Sequence, residues 1–174
     1  MTMRKFISTC VRICVIASMA VLAASAIAQT LPDKFEPARD AARDVAAAVT
    51  LAKSQGKHVI VDVGGEWCSW CHILDRFIAN DPDVSALIGE RYVWVKVNYS
   101  KENKNEAFLS RWPKVAGYPH LFVLDGDGKL VRSQDTAPLE AGKSYDKAKV
   151  LAFLNRWART PPQRANSYQP PADS

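Results

Sequence analysis

Two cysteines, Cys68 and Cys71, separate a short β-branched run from an amphipathic segment. The run at residues 58–63 is typical of a buried strand, and the apolar residues that follow the motif recur at helical spacing. This order puts Cys68 at the N-terminus of a helix, where backbone N–H groups and the helix dipole favour a thiolate. Cys71 then lies one turn along, within reach of a disulfide on Cys68. We therefore expect Cys68 to attack a disulfide and Cys71 to resolve the mixed disulfide that forms.

The other two cysteines, Cys10 and Cys14, lie in an N-terminal segment with the features of an export signal. Residues 1–28 combine a basic start, an apolar run over 13–24 and a small-x-small site ending at Ala28, which predicts a signal peptide cleaved after that alanine. A membrane anchor is the alternative, but the apolar run is shorter than the roughly 20 residues of a bilayer span. We expect a periplasmic or secreted protein. In an oxidising compartment, the remaining pair of closely spaced cysteines has a chemical role, since it cannot staple distant segments together.

The excess positive charge of the chain comes largely from the same segment. The 174 residues include 23 basic and 18 acidic side chains. Arg4, Lys5 and Arg12 fall within the predicted signal, and removing these three of the 23 leaves 20 basic against 18 acidic residues. A mature chain so balanced has no basic stripe for a phosphate backbone, so no nucleic-acid partner is expected.

Hydrophobic periodicity and turn residues predict one α/β domain over residues 29–160. Strand-like runs alternate with helical spacing, and the last two strands form a hairpin. The predicted order after a lead-in at 31–35 is a helix from 37 to about 56, strand 58–63, the motif helix, a helix capped by Asp81 and Pro82, strand 92–99, a helix carrying Phe108, Trp112 and Val115, strand 120–124, a strand at 130–132 and a helix over 144–158. This order gives a mixed central sheet with flanking helices. Residues 161–174 contain four prolines and predict a flexible tail.

Three segments of this domain resemble the thioredoxin superfamily. Val61-Asp62-Val63 and Glu66-Trp67-Cys68 are similar to the family's strand and Trp-Cys-x-x-Cys motif, and Gly117-Tyr118-Pro119 resembles the loop that holds its cis-proline. The likeness covers nearly all of residues 37–160. The Ser69-Trp70 pair between the cysteines is more similar to secreted thioredoxin-like proteins than to thioredoxin itself, which has Gly-Pro there. The resemblance implies a thioredoxin-like fold.

The resemblance also implies roles for three residues outside the cysteine pair. Asp62 matches the family's buried carboxylate, which takes the proton of the second cysteine, here Cys71, through water. Burial raises the pKa of a carboxyl, which suits a general base near neutral pH. Lys96 matches the lysine near that carboxylate and would tune it. Pro119 would follow a cis bond, present backbone groups to a substrate strand and cover the sulfurs.

Three further side chains are candidates for binding or tuning. Trp67 flanks the reactive sulfur and Tyr118 precedes the loop proline, so we expect both to contact substrate. His72 follows the second cysteine, where an imidazolium would stabilise a thiolate.

The motif also satisfies two other patterns. Cys68, Cys71 and His72 fit the C-x-x-C-H pattern for covalent attachment of a c-type haem, and the same three are candidate zinc or copper ligands. However, no methionine follows the predicted signal to act as a distal haem ligand, and no second cysteine pair completes a tetrahedral zinc site. A thioredoxin-like binding module without redox activity is a third alternative. We expect no cofactor and no metal.

The expected function is thiol–disulfide exchange with proteins through the cysteine pair. The carboxylate of Asp62 disfavours a thiolate and so favours a potential nearer about −270 mV than about −120 mV. We therefore expect a monomeric reductase rather than an oxidase. Its expected partners are client proteins with thiols or disulfides and a membrane-embedded thiol electron donor, because a reductase in an oxidising compartment needs electrons from elsewhere.

Overall fold

Helices and strands follow one another in nearly the order that the hydrophobic pattern predicts. The computed structural model describes residues 30–158, so the predicted signal peptide and tail lie outside the described residues. The elements are α1 (Ala41–Gln55), β1 (His58–Gly64), α2 (Ser69–Asn80), α3 (Pro82–Arg91), β2 (Tyr92–Asn98), α4 (Glu106–Leu109), β3 (His120–Leu124), β4 (Leu130–Asp135), a 3₁₀ turn (Ala137–Leu139), β5 (Glu140–Ala141), β6 (Ser144–Tyr145) and α5 (Lys147–Trp157).

Four of the strands form the central sheet, in the order β2-β1-β3-β4. Strands β1 and β2 run parallel, and Asp62 lies directly opposite Lys96 in their register. Strand β3 is antiparallel to both β1 and β4. The sheet is therefore mixed, which confirms the predicted thioredoxin-like α/β fold.

The two faces of the sheet pack against different helices. Alternate residues of β1, such as Val61 and Val63, pack with α1 and α4. Ile60, one position out of phase, packs on the other face with α2, α3 and α5. Because side chains alternate along a strand, Asp62 and Lys96 face the same side as Ile60, toward the helix that begins at the cysteines.

Aspartates cap three of the helices, and one of these caps, Asp81, was predicted. The carboxylates of Asp40, Asp81 and Asp146 accept hydrogen bonds from backbone N–H groups in the first turns of α1, α3 and α5. Gly56 ends α1 with a φ of 67°, a left-handed conformation that glycine adopts at little cost. These caps fix where the helices flanking the site begin and end.

Three predicted helices differ from the structure. The first begins at Ala41 rather than at residue 37, because the Asp40 carboxylate caps it. The helix expected to carry Phe108, Trp112 and Val115 covers just Glu106–Leu109. Pro113 disfavours helical backbone at the residue before it, so Trp112 leaves the helix. Its ring still packs on the sheet, with a centroid 4.7 Å from that of Phe122.

The last helix also begins later than predicted. It starts at Lys147 rather than at residue 144, because the Asp146 carboxylate caps it and Ser144–Tyr145 pair with Glu140–Ala141 in a short ribbon. Strand β4 extends to Asp135, beyond the predicted 130–132. Within residues 30–158, no helix has the length and apolarity needed to cross a membrane.

Candidate functional site

The cysteine pair lies at the junction of β1 and α2. Cys68 and Cys71 form a disulfide with a Cα–Cα distance of 5.3 Å. Cys68 is the N-cap of α2, and its Sγ accepts a hydrogen bond from the backbone N–H of Cys71 at 3.1 Å. Both cysteines are buried. The first sulfur thus lies at a helix N-terminus, as the spacing predicts, where partial positive charge favours a thiolate after reduction.

The loop before β3 brings its proline to the same region. The Tyr118–Pro119 peptide bond is cis, as the resemblance implies. The Pro119 carbonyl accepts a hydrogen bond from Thr136 Oγ1 at 2.8 Å. Tyr118 packs against the cluster formed by Cys68, Cys71 and Phe35, which brings this loop next to the disulfide.

Three aromatic side chains beside the disulfide form a surface that we call the aromatic platform: Trp67, Tyr118 and Tyr99. The ring of Tyr118 stacks on that of Tyr99 at 4.8 Å and meets Trp67 edge-on at 5.6 Å. Trp67 is 59% exposed, although its indole N–H donates to the Tyr99 carbonyl at 2.7 Å. Trp67 and Tyr118 were predicted to belong to the site and Tyr99 was not; its position at the end of the predicted strand 92–99 was the available signal.

On the inner side of the site, Asp62 is buried beneath α2. Its Oδ2 accepts hydrogen bonds from Lys96 Nζ at 3.2 Å and from Trp94 Nε1 at 3.3 Å. Its Oδ1 is buried without a hydrogen-bond partner among the described residues. Burial raises the pKa of Asp62 to about 6, against the opposing effect of the Lys96 ammonium. The predicted pairing of Asp62 with Lys96 is therefore present, with a carboxyl that titrates near neutral pH.

A second carboxylate, that of Asp75, holds the same lysine. Lys96 Nζ lies 2.6 Å from Asp75 Oδ1, and the Asp75 side chain is 38% exposed. Burial acts to lower the pKa of Lys96, but the two carboxylates outweigh it and raise that pKa. Sequence reasoning missed Asp75. The available signal was its position four residues after Cys71, which places both on one face of α2.

An aromatic residue from the lead-in segment completes the site. Phe35 is 1% exposed and packs in a cluster with both cysteines. Its backbone N–H donates to Glu66 Oε1 at 3.0 Å, and Lys96 Nζ lies 4.0 Å from its ring centroid. Sequence reasoning gave Phe35 no role, because nothing local to it indicates a contact with residues about thirty positions away.

The imidazole of His72 contacts Glu66, in the loop before the motif. Its Nε2 lies 2.8 Å from the Glu66 carbonyl oxygen and 3.7 Å from Glu66 Oε2. Its suggested role in tuning the thiolate stays a prediction. Among residues 30–158, no group of three or more His, Cys, Asp or Glu side chains is arranged to hold a metal ion.

Gly64 has no side chain, and Cys71 Sγ and the Phe35 ring occupy the space next to its Cα. A Cβ at this position would lie 2.5 Å from Cys71 Sγ and 3.0 Å from Phe35 Cζ. We expect Gly64→Ala to lower the free energy of unfolding by about 1–3 kcal/mol, as overpacking of a closed core does. Denaturant titration of the oxidised protein measures this. Gly89→Ala is the control for an added methyl group without a clash, because a Cβ there meets nothing within 4 Å, and it should not lower stability. A Gly64→Ala protein as stable as the wild type would contradict the prediction.

A mixed sheet with a cysteine pair at a helix N-terminus and a cis-proline loop beside it defines a protein of the thioredoxin-fold class. A family model described as thioredoxin-like matches residues 40–126. The chain therefore belongs to the thioredoxin-like family, as the resemblance of its motifs predicts.

Curated relatives of the chain include bacterial proteins named thiol:disulfide interchange protein DsbD. The Pseudomonas fluorescens protein is 31% identical over 133 residues, which cover 75% of this chain and 21% of that protein. The protein of Escherichia coli strain K12 is 25% identical over 79 residues, covering 45% of this chain and 14% of that protein. The chain thus spans about a fifth or less of the length of these relatives.

Solved structures share the fold. A disulphide isomerase from Xylella fastidiosa Temecula1 superposes with a TM-score of 0.61 at 22% identity, covering 73% of this chain and 96% of that one. The C-terminal domain of Neisseria meningitidis DsbD, in its oxidised form, has a TM-score of 0.51 at 22% identity, covering 70% and 97%. At this identity the two structures support the fold alone.

Proposed function

We propose that this protein is a thiol–disulfide oxidoreductase that acts on other proteins through Cys68 and Cys71. The observation that carries the proposal is the disulfide between these cysteines at the N-terminus of α2, with Cys68 as the helix cap. Exchange requires a first sulfur where the helix N-terminus stabilises a thiolate, and a second thiol three residues later. The DsbD relatives are named thiol:disulfide interchange proteins, which supports the same chemistry.

The reducing reaction has two exchange steps. In the first, the Cys68 thiolate attacks a client disulfide, bonds to one client sulfur and releases the other as a thiolate that takes up a proton. In the second, the Cys71 thiol gives its proton to the Asp62 carboxylate, and the Cys71 sulfur attacks Cys68 Sγ. This attack forms the Cys68–Cys71 disulfide and releases the second client thiolate. Two electrons pass from the cysteine pair to the client, and a dithiol donor must then reduce the pair again.

Asp62 is the proposed base of the second step. Its buried carboxyl has a pKa of about 6, so that it is ionised at neutral pH yet binds a proton more strongly than an exposed carboxyl does. Lys96 holds one carboxylate oxygen at 3.2 Å, while Oδ1 accepts no hydrogen bond from the described residues. That second oxygen is the natural acceptor of the proton, directly or through a water molecule.

Client binding is assigned to the aromatic platform and the cis-proline loop. Trp67 offers an exposed ring beside the sulfurs. An extended client segment would lie along the backbone of the loop that carries the cis-proline, Pro119, next to the disulfide. Beyond Tyr118 and Tyr99 lies an open groove of about 410 Å³ lined partly by Leu109 and Val115, which gives room for a client side chain.

The charges around the pair favour a reductase. The carboxylates of Asp62 and Asp75 face a single ammonium, that of Lys96, so the inner side of the site carries net negative charge when Asp62 is ionised. Negative charge destabilises the thiolate and so makes the dithiol the better electron donor.

We propose that the protein works as a monomer in the periplasm after loss of its predicted signal peptide. Its electrons would come from a membrane-embedded dithiol, and proteins with disulfides would be its clients.

The reduction potential tests the function and its direction. We expect the mature protein to titrate as one two-electron couple at or below about −250 mV against a dithiol buffer, read by the fluorescence of Trp67 and Trp70. A Cys68→Ala variant, which lacks the couple, is the control for changes in fluorescence unrelated to it. A midpoint above about −170 mV would make the protein an oxidase or isomerase, and the absence of any titration would contradict oxidoreductase activity.

A further inference from the structure

The segment before α1 is fixed across the inner side of the active site. The Phe35 N–H donates to Glu66 Oε1 at 3.0 Å, in the loop that precedes the motif. Two residues later, the Pro37 carbonyl accepts a hydrogen bond from Asn103 Nδ2 at 2.8 Å. Arg39 then pairs with Asp44 of α1 at 2.6 Å. The backbone on both sides of Phe35 is therefore held, and its ring is kept in one place.

The Phe35 ring fills a space that β1 leaves open. Gly64 has no side chain, and a Cβ built there would meet Phe35 Cζ at 3.0 Å and Cys71 Sγ at 2.5 Å. The aromatic ring and the resolving sulfur thus border the same small volume. With Phe35 1% exposed and Cys71 also 1% exposed, the ring shuts bulk water out of this side of the disulfide.

The same ring lies against the lysine that holds Asp62. Lys96 Nζ is 4.0 Å from the ring centroid and 3.2 Å from Asp62 Oδ2. An ammonium over an aromatic face is attracted to it, more strongly where water is excluded, and Lys96 is 7% exposed. Phe35 therefore touches the resolving cysteine on one side and the partner of the proposed base on the other.

We propose that Phe35 is a positioning residue for the resolving step: its ring holds the Lys96 ammonium against Asp62 and keeps water away from Cys71 while Cys71 passes its proton to Asp62. The inference rests on the proposed function and adds a part of the active site that comes from outside the β1–α2 motif. The first step, attack by the Cys68 thiolate, needs no proton transfer to Asp62, so loss of the ring should affect it less than the second.

Removal of the ring should also change the pH dependence of resolution. The groups that act on the Asp62 carboxyl are Lys96 and Trp94 from β2, Asp75 from α2 and Tyr145 from β6. Among the influences on Asp62, burial is the largest and raises its pKa. Admitting water where the ring was weakens that influence, so the pH midpoint of the resolving step should move to lower pH.

Stopped-flow reaction of the reduced protein with Ellman's reagent separates the two steps. Attack by Cys68 releases a first equivalent of the coloured thiolate, and attack by Cys71 on the resulting mixed disulfide releases a second. We expect Phe35→Ala to slow the second phase about tenfold at neutral pH and to lower its pH midpoint, with the first phase changed less than about twofold. Phe35→Leu still excludes water from Cys71 but has no aromatic face for the Lys96 ammonium. It should slow the second phase about threefold and leave the pH midpoint of that phase near that of the wild type.

Leu31→Ala is the matched control, because Leu31 lies on the same segment but packs against the α1 face of the sheet. It should leave both phases and the midpoint unchanged. A second phase of wild-type rate in Phe35→Ala would overturn the proposal, as would equal slowing in Leu31→Ala. If Phe35→Ala does not fold, Phe35→Leu decides by the same criterion. A wild-type protein that releases no second equivalent would instead refute the proposed function, and the role of Phe35 with it.

Discussion

A Cys71→Ala variant should accumulate its clients as mixed disulfides on Cys68, whereas Cys68→Ala should accumulate none. The attack of Cys71 on Cys68 Sγ is intramolecular, between residues whose Cα atoms lie 5.3 Å apart. Loss of that attack leaves only a second molecule to release the client, and the lifetime of the complex should rise by on the order of 10⁴ or more. The measurement is acid quenching of cells that export the variant, alkylation of free thiols and separation of the complexes without reductant.

The double variant Cys68→Ala with Cys71→Ala controls for non-covalent association. Complexes that disappear on addition of a reductant and are absent from the double variant identify the clients and the electron donor together. Equal trapping by both single variants would show that either sulfur attacks, and the order of steps proposed above would be wrong.

Asp62→Asn should slow the resolving step and spare the first. Asparagine keeps the shape of the side chain but takes up no proton, so we expect the second phase with Ellman's reagent to fall roughly 10²-fold at neutral pH. In the wild type this phase should also decline as the pH falls through about 6, where Asp62 becomes protonated. The variant should lack that decline. A wild-type rate in Asp62→Asn would remove this carboxyl from the mechanism.

The same substitution should remove a pH dependence from the stability of the folded protein. The pKa of Asp62 is about 6 in the folded protein and 3.8 for an exposed aspartate, so the native state holds this proton more tightly than the unfolded state does. The stability that this group contributes is full below the unfolded pKa and is lost as the pH rises through the folded one. Two pKa units correspond to about 3 kcal/mol, and the variant should gain that much relative to wild type between about pH 3.5 and about pH 8.

Denaturant titrations of both proteins at the two pH values measure this gain. Asp33→Asn is the control, since this exposed carboxylate is not among the groups that act on Asp62. A difference between Asp62→Asn and wild type that does not vary with pH would show that the buried carboxyl titrates as it does in the unfolded chain.

Local patterns were enough to predict the core of the site. A β-branched run followed by a helix predicts the position of Cys68. The nearness of Asp62 and Lys96 was implied by the family resemblance, and the structure pairs them directly across β1 and β2. Caps were equally local: Asp81 followed by Pro82 marks a helix start in the sequence and in the structure. The position of Cys68 and the helix start at Asp81 each depend on residues within a few positions of one another.

The parts that sequence reasoning missed depend on the packing of distant segments. Phe35 reaches the site because Gly64 of β1 has no side chain. The ring fills the space between Gly64 and Cys71 of α2. Tyr99 joins the aromatic platform by stacking on Tyr118, which is far from it in sequence. Trp112 resembled a helical residue because its spacing from Phe108 fits one, yet Pro113 and the fit of its ring against Phe122 determine its conformation.

The cap at the start of α2 affects how the protein moves between its redox states. The sulfur of Cys68 accepts the Cys71 N–H in the oxidised form, at 3.1 Å. A thiolate is a stronger acceptor than a disulfide sulfur, because hydrogen bonds to an ionised group are shorter and stronger. Reduction therefore strengthens this bond and leaves the helix with its cap. The backbone around the sulfurs therefore keeps one conformation in the oxidised and reduced states. Each exchange step starts without a rearrangement of the helix N-terminus.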